Sequence, residues 1–179
     1  MAQRRFHYEQ AFEHYLRANR IPYVAVDEAK KALLPARQGG GADRAMPRSI
    51  KSFDFVVYGP QENLLIDVKG RAYKGRTRRF ESWVTRDDVG SLRRWEELFG
   101  SGFIASFVFI YALKAQPPDA LFEEFFEYGS RWYALREVRL NEYEQAMVER
   151  SAGWQTVHIP AAAFARISRP FRIEAAATR

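Results

Sequence analysis

Asp54, Asp67 and Lys69 are the residues of this chain whose types and spacing could do chemistry together. Asp54 lies in the run Ser52 to Gly59 (SFDFVVYG), and the other two lie in the run Asn63 to Gly70 (NLLIDVKG). Both runs read as strands, and the short turn around Pro60 and Gln61 predicts an antiparallel hairpin. A turn centred there sets Val56 opposite Leu65, Tyr58 opposite Asn63 and Asp54 opposite Asp67. Alternation along the two strands then puts Phe53, Phe55, Val57, Leu64, Ile66 and Val68 on one apolar face. Asp54, Asp67 and Lys69 fall on the other face, at one end. Two carboxylates aligned across a hairpin destabilise it by roughly 0.2–1 kcal/mol unless something neutralises them. A hard divalent cation, Mg²⁺ or Mn²⁺, is a natural neutraliser, with the Val68 backbone carbonyl available as a further oxygen ligand. Lys69 could orient or help deprotonate a water, or stabilise charge on a phosphate. The bland alternative is a pair of exposed strand aspartates neutralised by Lys69 and Lys51.

The segment after Lys69 favours the chemical reading. The stretch KGRAYKGRTRR carries Arg71, Lys74, Arg76, Arg78 and Arg79 with no acid among them, as a nucleic-acid-binding segment would. The whole chain has a net charge of +6, which points the same way more weakly. Tyr73, Phe80 and Trp83 are interleaved with this stretch and could stack on bases, although core packing is their default role. His7, His14 and His158 make no ligand spacing. With no cysteine in the chain, thiolate metal sites, disulfides and cysteine nucleophiles are excluded.

The elements that must position these groups can be read around them. Residues 3 to 20 form an amphipathic helix, Tyr23 to Val26 a strand, and Ala36 to Arg48 a glycine-rich loop. Residues 87 to 99 form a second helix, acidic at its start and closed by Gly100, and Phe103 to Leu113 a buried central strand. Further on, Trp132 to Leu140 reads as a strand, Asn141 to Arg150 as a helix capped by Asn141, and Trp154 to Ile159 as a strand, with a loose tail after Pro170. Glu123 to Glu127, with Phe125 and Phe126, form an acidic and aromatic patch on a strand or a short helix. At 179 residues, 47% hydrophobic and 28% charged, the chain can bury a core of its own. The charges of its first segment and the lack of a long apolar run predict a cytoplasmic protein with no membrane span.

The order helix with glutamate, strand, F-D-F strand, turn, L-L-I-D-V-K strand, basic loop, helix and apolar strand resembles the PD-(D/E)XK nuclease superfamily, above all archaeal Holliday-junction resolvases. The resemblance covers about residues 6 to 113, with Phe53 where the superfamily pattern has proline. It implies an α/β, restriction-endonuclease-like fold with a mixed central sheet flanked by helices. The chain length predicts one domain over residues 1–179, in which the segment from about 119 to 170 extends the same unit. By the same resemblance Asp54 is the first motif aspartate, Asp67 the acidic position of the second motif and Lys69 its lysine. Glu9 is the helix glutamate, with Glu13 as the alternative. The activity implied is Mg²⁺-dependent hydrolysis of phosphodiesters, with DNA favoured over RNA and a homodimer an open option. Lys69→Ala is expected to abolish cleavage and leave folding largely intact. Two alternatives stay open: a noncatalytic nucleic-acid-binding module of the same fold, and a scaffold or interaction protein using the aromatic second half.

Overall fold

The computed structural model describes residues 3–26, 50–73, 80–114 and 125–172. Its strands are β1 (Tyr23–Ala25), β2 (Phe55–Tyr58), β3 (Asn63–Ala72), β4 (Val84–Thr85), β5 (Phe103–Leu113), β6 (Phe125–Tyr128), β7 (Arg131–Arg139), β8 (Val148–Ser151) and β9 (Thr156–His158). Its helices are α1 (Gln3–Ala18), α2 (Arg86–Phe99), α3 (Leu140–Ala146) and α4 (Ala161–Ile167). The class is α/β with a mixed sheet, as the sequence predicts. Six strands run in the order β1-β2-β3-β5-β7-β6, and β4, β9 and β8 make a second, smaller sheet.

The β2–β3 hairpin has the expected register, with Val56 opposite Leu65 and Tyr58 opposite Asn63. β3 then runs parallel to β5 from Asn63↔Phe103 to Ala72↔Ala112. A parallel neighbour requires a crossover, and α2 lies within it. Buried on both faces, β3 divides the core into two layers. Phe55, Val57, Leu64 and Ile66 pack with Ala11, Phe12 and Leu16 of α1. Val56 and Leu65 turn the other way, toward Val89 and Leu92 of α2, Leu140 and Tyr143 of α3, and Phe164 of α4.

Three local expectations are corrected, and three further elements appear. Phe53 belongs to the α2 layer and not to the face of Phe55, because the chain bends at Asp54 and the alternation breaks there. The helix expected over 141–150 spans only Leu140–Ala146, with no side-chain cap, because Val148 pairs with His158 in the small sheet. The strands β4 and β8 and the helix α4 are further elements, absent from the sequence-based expectations. The tail expected to be loose after Pro170 buries Phe171 against α1, and the Tyr15 hydroxyl donates to its carbonyl at 2.9 Å. The expected loop over 36–48 and the acids Glu123 and Glu124 lie outside the described residues. Among the described residues, no helix is long and apolar enough to cross a membrane.

Candidate active site

At the bend before β2, the Asp54 amide donates to Ile66 O and its carbonyl accepts from Val26 N–H, each at 2.8 Å. The paired ladder stops at Phe55↔Ile66, so the expected backbone pair of Asp54 with Asp67 does not form. The Asp54 side chain takes over instead, its Oδ2 accepting the Val68 amide at 2.7 Å. This bond holds the carboxylate at the point where β3 carries Asp67 and Lys69.

Asp67 is buried, at 7% exposure, and its Oδ1 lies 2.8 Å from Lys69 Nζ. The amine also stands 3.5 Å from Asp88 Oδ2 and over the Phe107 ring, 6.0 Å from its centre. Burial pushes the Asp54 carboxyl up to about 8; the charge of Asp67 adds to this, the Val68 amide opposes it, and Glu9 contributes a smaller upward push. Burial also raises Asp67, against the pull of Lys69. For Lys69, burial works against the charge, but Asp67 and Asp88 outweigh it and the amine is held above its ordinary value. Lys69 is therefore an ammonium at neutral pH.

The two helix glutamates part company. Glu9 lies near enough to Asp54 for its charge to bear on that carboxyl. Glu13 is held elsewhere, accepting from Arg17 at 2.8 Å and from the Tyr23 hydroxyl at 2.7 Å. α1 approaches β3 closely because Gly70 has no side chain: a Cβ there would stand 2.0 Å from Tyr8 Cδ2.

Asp88, Lys51 and Thr85 join the site from α2 and the segment before β2. Thr85 and Asp88 form a capping box, with the Thr85 side chain accepting from Asp88 N–H at 3.0 Å and Asp88 Oδ2 accepting from Thr85 N–H at 2.9 Å. Burial alone would raise Asp88, but Lys69, the two Thr85 groups and Lys51 bring its carboxyl down to about 2. Lys51 spans Asp87 at 3.1 Å and Asp88 at 3.2 Å at the helix start, and its charge also bears on Asp67. The T-x-x-D spacing of Thr85 and Asp88 is a sequence signal for this cap. Its tie to Lys69 is a tertiary fact.

Arg71, expected among the nucleic-acid-binding residues, has its guanidinium engaged within the protein. Its guanidinium donates to Gly70 O at 2.8 Å and to Trp83 O, and it lies 4.0 Å from the centre of the Trp83 ring. The group is turned into the protein, with Arg150 on the same indole at 4.9 Å. Tyr73 and Phe80 pack against the core. Lys74, Arg76, Arg78 and Arg79 lie outside the described residues. His7 pairs with the Tyr133 hydroxyl at 3.0 Å, and His14 lies beside the Tyr128 ring.

The donor set suits a divalent ion in part. Asp54 has one oxygen left over from its bond to Val68, and Asp67 supplies a second carboxylate. The N–H and C=O of one strand residue point to the same side, so the Val68 carbonyl is directed toward Asp54's edge of β3. Two carboxylates and a carbonyl make the incomplete oxygen shell that Mg²⁺ completes with water and phosphate. The raised carboxyl of Asp54 marks a place short of positive charge. Among the described residues no three acids or histidines are grouped so as to hold a metal.

No protein-family model matches the chain, and no curated protein matches it. Among solved structures it is similar to the 1.6 Å structure of Archaeoglobus fulgidus Hjc, a Holliday junction resolvase from an archaeal hyperthermophile. The two share 15% identity over 90% of this chain and 92% of that one, with a TM-score of 0.48.

Proposed function

We propose that this chain is a metal-dependent nuclease that hydrolyses phosphodiester bonds in DNA by attack of water. The observation that carries the reading is the buried Asp67–Lys69 pair at 2.8 Å, with the Asp54 carboxylate locked beside it by the Val68 amide. Asp54, Asp67 and the Val68 carbonyl would hold Mg²⁺ or Mn²⁺. When bound, such an ion supplies Lewis acidity and an acidified water. Lys69, an ammonium held among carboxylates, suits stabilisation of charge on the phosphate better than deprotonation of water. Glu9, at the Asp54 side, would act through a water. Lys74, Arg76, Arg78 and Arg79 would grip flanking phosphates. The segment from about 119 to 170 would work as part of the same unit.

The test is incubation of the purified protein with duplex, single-stranded and branched DNA in Mn²⁺ or EDTA. Lys69→Met, which keeps the buried stem, runs alongside. The expected result is cleavage in Mn²⁺ only, lost in the variant while its circular dichroism matches the parent. Cleavage by Lys69→Met at the parent rate would refute the assignment. Salt-sensitive binding that leaves DNA intact under both conditions would instead identify a noncatalytic binding module.

A further inference from the structure

Gly90 sits in the middle of α2, where glycine is the poorest helix former apart from proline. Nothing among the described residues asks for it. Among the described residues, no atom lies within 4 Å of where its Cβ would be, and its φ is not among the positive values of the chain. Neither packing nor backbone conformation excludes a side chain. Close approach of a ligand to the backbone is a further circumstance in which a missing Cβ is useful.

The surroundings indicate what approaches. Gly90 lines an open cavity of about 810 Å³, together with Ile50 and Gln155. Arg86 and Arg94 lie one turn to either side of Gly90 on the same exposed stripe of α2, about 12 Å apart along the helix. That span equals three to four nucleotide steps of one duplex strand along its axis, taking about 3.4 Å per step. Arg94 makes no ion pair among the described residues, and Arg86 has only an exposed contact to Glu149 at 3.4 Å. Asp87, the acid on the rim, is engaged by Lys51 at 3.1 Å. The cavity also adjoins the candidate active site. Ser91 in its wall accepts the Lys51 amide at 3.1 Å, Lys51 reaches Asp88 at 3.2 Å, and Asp88 stands 3.5 Å from Lys69.

We propose that the groove over Gly90 seats the sugar-phosphate backbone of a nucleic-acid strand, with Arg86 and Arg94 each taking a phosphate and Gly90 admitting the strand between them. This deepens the nuclease reading and rests on it. The groove adds a binding track on α2 to the basic segment after Lys69.

The test uses Gly90→Glu, Arg94→Ala and Gln61→Glu in the full chain. A glutamate at position 90 can pair with both arginines at i,i±4 and reach into the cavity, while favouring the helix. Gln61→Glu makes the same charge change in the exposed turn before β3, at the strand end away from Lys69. Affinity for a fluorescent duplex is measured in EDTA against salt concentration, and KM for cleavage in Mn²⁺. Gly90→Glu should bind at least tenfold more weakly, with a KM raised to match and a melting temperature no lower than the parent's. Arg94→Ala should lower the salt slope by about 1, and Gln61→Glu should lose less than threefold. If the parent cuts DNA and Gly90→Glu keeps its affinity and KM, or Gln61→Glu loses as much, the groove assignment is overturned while the nuclease reading stands. A parent that neither binds nor cuts nucleic acid overturns both.

Discussion

The Lys69 ammonium lies 2.8 Å from the Asp67 carboxylate two residues earlier on β3, and its side chain is only 18% exposed. The pair is thus part of the core as well as of the site, which bears on the expectation that Lys69→Ala leaves folding largely intact. Truncation strands a buried carboxylate and should cost about 3 kcal/mol. Asp67→Asn combined with Lys69→Met removes both charges and should cost clearly less than the sum of the single changes. Urea unfolding of the four proteins at pH 7 measures the coupling, and simple additivity would show that the pair is not energetically linked.

Asp54 sets a pH dependence of opposite sign to the usual carboxylate. Its folded value is about 8 against 3.8 for an ordinary aspartate. The folded metal-free protein therefore holds a proton that the unfolded chain releases, and stability falls as pH rises from about 4 to 8. Asp54→Asn keeps an oxygen for the Val68 amide and removes the charge. It should stabilise the metal-free protein at pH 8 by on the order of 1–2 kcal/mol and make no such gain at pH 4. Thermal melts in EDTA at the two pH values decide this; equal effects at both would remove the basis for it.

Asp88 behaves conventionally. Its folded value of about 2 lies below the ordinary 3.8, so its contribution is complete above about pH 4 and is lost as pH falls through 2. Asp88→Asn surrenders the charge that holds Lys69 and Lys51 and weakens the cap. It should cost about 1–2 kcal/mol at neutral pH. The difference from the parent should shrink toward pH 2, as read by denaturant midpoints along a pH series. A gap that stays constant with pH would mean that the charge of Asp88 contributes nothing.

Gly70→Ala should push α1 away from β3, because the added carbon would stand 2.0 Å from Tyr8 Cδ2. Overpacking of this kind costs about 1–3 kcal/mol. Tyr8→Ala in the same chain should recover part of that loss. Because Glu9 follows Tyr8, cleavage by Gly70→Ala should fall further than stability alone explains. A fully stable Gly70→Ala variant would show that the two elements can separate freely.

The parts of the site that are legible in the sequence are those set by local pattern. Alternation and the turn at Pro60 and Gln61 specify the hairpin register, and the nearly all-apolar run delimits β5 to the residue. Legibility ends where the chain departs from local rules. Alternation puts Phe53 in the wrong layer because a bend at Asp54 resets it, and no residue type there announces a bend. Arg71 has the look of a free cation because its partner, Trp83, lies twelve residues on in a segment with no periodicity. Asp88 carries a visible capping spacing, but only the packing of α2 beside β3 joins it to Lys69. Met147 continues the apolar spacing of Leu140 and Tyr143, so the sequence suggests a longer helix than the one that forms. The demand of β9 for a partner ends it.

Over Asn63 to Ile66, bonded by β2 on one edge and β5 on the other and buried between the two layers, β3 can expose its amides only when most of the molecule comes apart. Deuterium uptake over these residues should therefore track global unfolding. Val68 is different, since its hydrogen is held by the Asp54 carboxylate and not by a neighbouring carbonyl. Its exchange rate is a spectroscopic reporter on the state of that one carboxyl, readable in the resting protein without substrate.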